Sequence, residues 1–347
     1  MNLGPHAPPL RGSLPPEGAD PAWGGPAPDL QGPHASSPLR GESGAPPLRG
    51  SLTSVRVAVV GAGNMGGAMV ARLCELGWSV VVCDIDPVRQ QQALEAGACL
   101  ADTPGTAARA LVADGVLIVC VVDATQSHEV LFGTGGAAAA LHSGQTVMLC
   151  PTIAPQDTEA LAAALSSQGL DCIDAPMSGG PARAREGSMS LMVAAPDGLL
   201  ERHAALLAAL SSKVFRISER VGDGARTKLV NNLLAGINLV GAAEVLALAE
   251  RLGLDLSTTL DVIEQSSGQS WIGSDRMRRA IAGDLAPRAH VTLLEKDTRL
   301  AVQAARAAGF AGPLGEVAAS VFEQAHAAGM ADLDDAALLQ LLRGPRP

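Results

Sequence analysis

Val55-Arg56-Val57-Ala58-Val59-Val60-Gly61-Ala62-Gly63-Asn64-Met65-Gly66 is the stretch on which the reading of this chain turns. Its first six residues form a short apolar run, broken only by Arg56, of the kind that makes a buried parallel strand. A G-x-G-x-x-G turn follows, and a helix-like segment continues to Leu76. In a strand–turn–helix context each glycine has a physical task. Gly61 permits the tight turn, Gly63 lets the backbone approach a pyrophosphate, and Gly66 lets the helix pack closely on the strand. Asn64 and Met65 complete the turn, where the helix N-terminus presents its positive dipole end to phosphate. The structural alternative is a glycine turn without a ligand. The strand before it and the helix after it favour a dinucleotide.

Outward from this stretch the pattern repeats. Strand-like runs occur at 79–84, 115–122, 145–150, 170–175, 188–195 and 214–217, with stretches rich in Ala, Leu and Glu between most of them. Such alternation predicts a mainly parallel sheet covered on both faces. After about Ser218 the strand signals stop. One long helix is predicted over 224–252, and others near 256–266, 271–283, 291–309, 313–329 and 334–343. The expected fold class is therefore α/β, a Rossmann-type doubly wound domain at 53–218, followed by an all-helical domain at 219–347. Residues 1–52 are rich in Pro, Gly and Ser and repeat Pro9-Leu10-Arg11-Gly12-Ser13-Leu14 imperfectly at Pro38 and Pro47. They lack the apolar content to offset their ordering entropy and are expected to be disordered.

Composition narrows the function. A net charge of −10 with no basic stripe argues against nucleic acid. No apolar run reaches the roughly 18 residues of a membrane span, and the N-terminus lacks the apolar core of a signal peptide. A cytoplasmic chain with no membrane partner is expected. The six cysteines form no C-x-x-C pair, so reduced thiols and no metal site are expected. With no tyrosine in the chain, dehydrogenase chemistry that uses a tyrosine acid is excluded.

Of 25 basic side chains only Lys213, Lys228 and Lys296 are lysines. Arginine keeps its proton in proteins, whereas burial can bring a lysine toward neutrality. Chance retention is the bland explanation. Lys228, however, stands with Asn231 and Asn232 at i, i+3 and i+4, one face of a helix. Two adjacent asparagines are poor helix formers, and a polar face at a cleft explains them; a clamp between domains is the alternative. Asp174-Ala175-Pro176-Met177-Ser178-Gly179-Gly180-Pro181 closes another strand, where ligands of open α/β sheets bind. Ser178 and the bare backbone of Gly179 and Gly180 suit a carboxylate. Asp84 ends the second strand, where an acid accepts from ribose hydroxyls and repels a 2′-phosphate. Ile85 brings no counter-charge, although Arg89 lies four residues on. NAD is expected, with NADP less favoured. Asp84 could also cap the helix beginning at Asp86-Pro87. Ser127 and Thr152, which follow later strands, are candidate rim residues for the cofactor, and Lys296 on a late helix could reach the cleft.

Together these residues resemble the β-hydroxyacid dehydrogenase family from about Arg56 to the C-terminus. The family's G-x-G-x-M-G is matched by Gly61 to Gly66, its D-A-P-V-S-G-G by Asp174 to Gly180 with Met177 for valine, its G-x-x-x-K-x-x-N-N by Gly224 to Asn232, and its late K-D pair by Lys296-Asp297. The resemblance implies a nicotinamide-dependent enzyme acting on a small hydroxy acid. It makes Lys228 the general acid/base and Asn232 the residue that orients the substrate, with Asn231 beside it. Ser178, Gly179 and Gly180 would hold the substrate carboxylate. Val122, Asp123, Ser127, Thr152 and Lys296 would touch the cofactor, although Asp123 and Ser127 replace the family's usual proline and asparagine. Glu129 to Gly133, Gly179 to Arg185, Asn232 to Gly236 and Ser266 to Trp271 resemble one branch of the family, whose substrate is a four-carbon sugar acid. A dinucleotide-binding regulatory protein without catalysis is the alternative of another class. The alanine-rich helical domain suggests a homo-dimer or homo-tetramer.

Overall fold

The computed structural model describes residues 55–344. The Pro/Gly-rich segment 1–52, expected to be disordered, lies outside the described residues. Among the described residues nine strands form one sheet: β1 (Val55–Val60), β2 (Val80–Cys83), β3 (Cys99–Leu100), β4 (Leu111–Val119), β5 (Thr146–Leu149), β6 (Asp171–Asp174), β7 (Met177–Ser178), β8 (Ser190–Ala194) and β9 (Lys213–Ser218). Strands β1 to β6 are mutually parallel in the order β3-β2-β1-β4-β5-β6. β8 runs antiparallel to β6 and β7, and β9 pairs parallel with β8. This is the doubly wound Rossmann order, with its crevice between β1 and β4, where the winding direction reverses.

The apolar runs were legible because both faces of the sheet are covered. Val57 and Val59 enter the hydrophobic cluster on one face, and Ala58 and Val60 the cluster on the other. Val116 and Ile118 of β4 divide from Leu117 and Val119 in the same way. Strands buried on two sides cannot alternate with polar residues. Two departures are local. β4 begins at Leu111, ahead of the expected Gly115, across an irregular register with β1. β3 and β7 are two residues each, too short to carry a periodic signal.

The helix Asp223–Arg251 begins five residues after β9 ends and forms the spine of the helical half. Leu239, Val240, Ala243, Leu246 and Ala247 of this helix pack with Met277, Leu294 and the fully buried Phe322 from surrounding helices. Gly236 allows the closest approach, since a Cβ there would sit 2.5 Å from Thr298 Cγ2. The sequence expectation that no segment could span a membrane holds only for uninterrupted apolar runs. This helix is long and apolar enough by length and mean hydropathy, but 44% of its most apolar window is buried within the fold. Its apolar character serves packing on several sides. The helix expected over 313–329 ends at Ala325 and gives way to a wider turn, in which Gly329 has a φ of 79°.

The start of the long helix is capped from a distance. Its N-cap is Gly222, which has no side chain to accept the exposed N–H groups. Asp174, the last residue of β6, supplies the missing acceptor: its Oδ2 accepts from the Gly222 N–H at 2.8 Å and the Ala225 N–H at 3.0 Å. The carboxylate is 1% exposed. A Cβ on Gly224 would fall 2.9 Å from the Asp174 carboxyl carbon, so only glycine admits this contact. Replacing Asp174 with alanine strands these buried donors. Asp174→Ala is expected to lower unfolding free energy by roughly 2–4 kcal/mol, measured by urea denaturation, whereas a matched change at exposed Asp157 should be nearly silent.

Candidate active site

The glycine turn follows β1 at the crevice. The Gly61 N–H donates to Cys83 O at 3.0 Å, tying the ends of β1 and β2 together. Gly61 has a φ of 92°, and a Cβ there would lie 2.5 Å from Cys120 O. On Gly66 it would lie 1.9 Å from Gly61 O, whereas at Gly63 it would meet nothing within 4 Å. Two glycines are thus demanded by packing, and the third leaves an open approach for a ligand. Gly63 caps the helix Asn64–Glu75 without a side-chain acceptor, so the first N–H groups face outward. A recess of about 290 Å³ lined by Gly63, Asn64, Gly67, Arg89 and Gln92 adjoins the turn. This backbone fits the pyrophosphate of a dinucleotide.

Asp84 stands at the rim of the same turn. Its Oδ2 accepts from the Ala62 N–H and its Oδ1 from the Asp86 N–H at 2.8 Å. It does not cap the next helix as the sequence allowed. Asp86 does, accepting from the Val88 N–H at 2.8 Å. Ile85 is 98% exposed. Arg89 reaches away from Asp84 to Asn64 Oδ1 and Gln92 Oε1, both at 3.1 Å. Asn64 also approaches Arg288 O at 3.5 Å, which links the glycine turn to the helical half.

Beyond β4, Val122 is half exposed. Asp123 caps the helix Ala124–Phe132 through the Gln126 N–H, and Ser127 is fully buried with its hydroxyl donating to Asp123 O at 2.7 Å. Both of these side chains are engaged in starting that helix. On the far side of the crevice, the Lys296 ammonium donates to the Thr152 carbonyl oxygen and pairs with Asp297 Oδ1 at 2.8 Å. Asp297 Oδ2 accepts from Asn232 Nδ2 at 2.6 Å, and Asn232 Oδ1 accepts from Asn231 Nδ2 at 2.9 Å. Thr152, Lys296, Asp297, Asn232 and Asn231 therefore form one polar chain across the two halves. Asn232 is buried and Asn231 is exposed.

Lys228 lies one turn before Asn232 and is 7% exposed. Among the described residues its ammonium makes neither a hydrogen bond nor an ion pair. Burial pushes its pKa down to about 8; Asp297 opposes the shift and Lys296 adds to it. Ser178 and Gly179 follow β6 by a few residues, and Gly179 and Gly180 adopt φ values of 133° and 74°. The Asp174 carboxylate secures the strand that leads to Ser178 and the helix that carries Lys228. Its own pKa is pushed up to about 6 by burial, against the stabilising N–H groups of Ala225, Gly222 and Gly224. Sequence reasoning quoted Asp174 and Asp297 within motifs but gave neither a role, because their partners are distant in the chain.

Known proteins place this geometry. Residues 56–218 match the family described as the NAD-binding domain of 6-phosphogluconate dehydrogenase, and residues 222–342 the one described as NAD-binding of NADP-dependent 3-hydroxyisobutyrate dehydrogenase. An L-threonate dehydrogenase of Escherichia coli O6:H1 is 38% identical over 83% of this chain and 95% of its own length. One from Cupriavidus necator is 36% identical over 84% and 97%. A crystal structure titled 3-hydroxyisobutyrate dehydrogenase from Salmonella typhimurium superposes with a TM-score of 0.76 at 35% identity, covering 83% of this chain and 99% of that one. With the glycine turn, the lysine–asparagine helix face and the doubly wound sheet in place, these likenesses make the chain a member of the β-hydroxyacid dehydrogenase family, enzymes that bind a nicotinamide dinucleotide and act on small hydroxy acids.

Proposed function

We propose that this protein oxidises L-threonate to its 2-oxo acid, 2-dehydro-L-erythronate, with NAD as acceptor and Lys228 as general base. The observation that carries the chemistry is a buried amine with no hydrogen-bond or ion-pair partner among the described residues, one turn from an anchored asparagine; burial pushes its pKa down to about 8. The substrate follows from likeness to the L-threonate dehydrogenases and from the four stretches between Glu129 and Trp271 noted in the sequence. The likeness to a 3-hydroxyisobutyrate dehydrogenase structure supports a second reading, oxidation of 3-hydroxyisobutyrate or reduction of tartronate semialdehyde.

In this reading residues 53–218 hold the cofactor and residues 219–347 supply the amine. When bound, the nicotinamide supplies the hydride acceptor. The neutral Lys228 amine takes the proton of the substrate hydroxyl as the carbonyl forms, and returns it in reduction. One N–H of Asn232 is held by Asp297. Its second N–H is directed to the substrate oxygen, with Asn231 fixing the amide from the other end. Ser178, Gly179 and Gly180 take the carboxylate. Gly61, Gly63, Asn64, Met65 and Gly66 line the pyrophosphate, while Val122, Asp123, Ser127, Thr152 and Lys296 border the rest of the dinucleotide. Exposed Val230, Leu234, Val245 and Leu248 along the long helix support a homo-dimer or homo-tetramer. The six free thiols are consistent with a cytoplasmic setting.

NADH formation over a panel of four-carbon sugar acids and 3-hydroxyisobutyrate tests the substrate. L-threonate is expected to give the highest kcat/KM, and a better alternative overturns that assignment. Lys228→Ala is expected to lower kcat at least about a hundredfold while NAD titration stays unchanged. Below its pKa of about 8 the amine is protonated and cannot accept, so oxidation should rise with pH and level off above that value. A pH-independent rate in the wild type would sink the role of Lys228. Asp84 should favour NAD over NADP by roughly tenfold or more in kcat/KM, because its carboxylate stands at the end of β2, where the ribose of a bound dinucleotide would lie, and Arg89 bonds Asn64 and Gln92 instead. Asp84→Ala should narrow that gap and also weaken NAD, since the Ala62 N–H loses its acceptor. Equal use of the two cofactors by the wild type would refute this.

A further inference from the structure

Arg183 and Arg299 are the arginines among the described residues whose side chains make neither an ion pair nor a hydrogen bond with another described residue. Arg299 is exposed. Arg183 is half-buried and stands three residues after Gly180 in the helix Gly180–Glu186. Its stem lies against the bare face of Gly179: a Cβ on that glycine would meet Arg183 Cδ at 2.9 Å and Cβ at 3.2 Å. The guanidinium carbon is 4.7 Å from the centroid of the Trp271 ring, which belongs to the helical half. Trp271 opens the helix Trp271–Ile281, whose Gly273 sits against Ala242 of the long helix. Ala242 is about four turns beyond Lys228, on the same side of that helix.

An arginine stacked on an indole keeps its N–H groups in the guanidinium plane, free for an oxygen pair. The overall charge of −10 repels an anionic substrate, and the Lys228 amine must be neutral to act as a base. A permanent cation beside the turn meets both conditions. We propose that Arg183, steadied on Trp271, is a specificity-determining residue that takes the substrate carboxylate at the Gly179–Gly180 turn. The proposal deepens the reading of the chain as a hydroxy-acid dehydrogenase and rests on it. It assigns the fork of the guanidinium to the two carboxylate oxygens, while the backbone at the turn completes the shell. Trp271 holds the planar group in place.

The test pairs two substrates with three proteins. L-threonate and L-threonamide share a carbon skeleton and differ in the carboxylate. With wild-type enzyme, the acid is expected to exceed the amide in kcat/KM by about a hundredfold. Arg183→Ala should lower kcat/KM for the acid by roughly ten- to a hundredfold, mainly through KM, and leave the amide within about threefold. The acid-to-amide ratio then collapses, which a merely structural role would not produce. Arg183→Lys should restore only part of the ratio, because a point charge lacks the planar fork. NADH titration and Tm check that the variants are folded. Should Arg183→Ala fail to fold, Arg183→Gln, which keeps the stem, replaces it in the same comparison. An unchanged acid-to-amide ratio in the folded variant overturns the proposal and leaves the hydroxy-acid reading standing. A wild type inactive on every hydroxy acid of the panel removes that reading, and the proposal with it.

Discussion

One carboxylate fixes the relation between the sheet and the helix from which the candidate chemistry is built. Asp174 ends β6, and four residues later the chain reaches Ser178 and the turn through Gly179 and Gly180. The same carboxylate receives the N–H groups at the start of the long helix. The turn and Lys228 therefore hang from one point, so a shift in either displaces the other. Glycines 222 and 224 are the counterpart of this arrangement. The first takes a left-handed conformation at the helix start, and the second leaves room for the carboxyl group. A second tie, from Arg226 to Glu159 at 2.6 Å, secures the next turn of the helix against the sheet half.

Around Lys228 the electrostatics are balanced rather than extreme. Full burial without a partner drives an ammonium toward the neutral amine, and a directly paired carboxylate would hold it charged. Asp297 stands near enough to raise the pKa, but its oxygens are committed to Asn232 and Lys296. Lys296 in turn pushes the other way. The amine thus reaches a range where both protonation states are accessible near neutral pH, as the acid/base role proposed for it demands. An arginine at 228 has no such range, and the chain's near-exclusive use of arginine elsewhere makes the exception readable.

Much of the architecture was visible in the sequence because its causes are local. β1, β5 and the second half of β4 are buried on both faces and so read as apolar runs. The glycine fingerprint was legible because its spacing is imposed by two backbone contacts, Gly61 on Cys120 and Gly66 on Gly61. Interactions that join distant positions were not visible. Asp174 meets residues 48 and 51 positions away, and Arg183 meets an indole 88 positions on. The helix cap offered as an alternative role for Asp84 belongs to Asp86, since Asp84 is drawn back to the glycine turn by the Ala62 N–H. Two-residue strands such as β3 and β7 are set by their neighbours in the sheet and have no periodicity of their own.

The exposure of Ile85 has a consequence for how this protein can change. At 98% exposure its side chain contributes almost nothing to the core, while Gly61 and Gly66 of the neighbouring turn leave no room for an added carbon. The crevice therefore combines a floor fixed at two glycines with a variable rim. Substitutions at 85 change what the rim presents to solvent without drawing on the stability of the fold. The rim can thus vary at little cost to folding, whereas the turn beneath it is set by backbone contacts at Gly61 and Gly66.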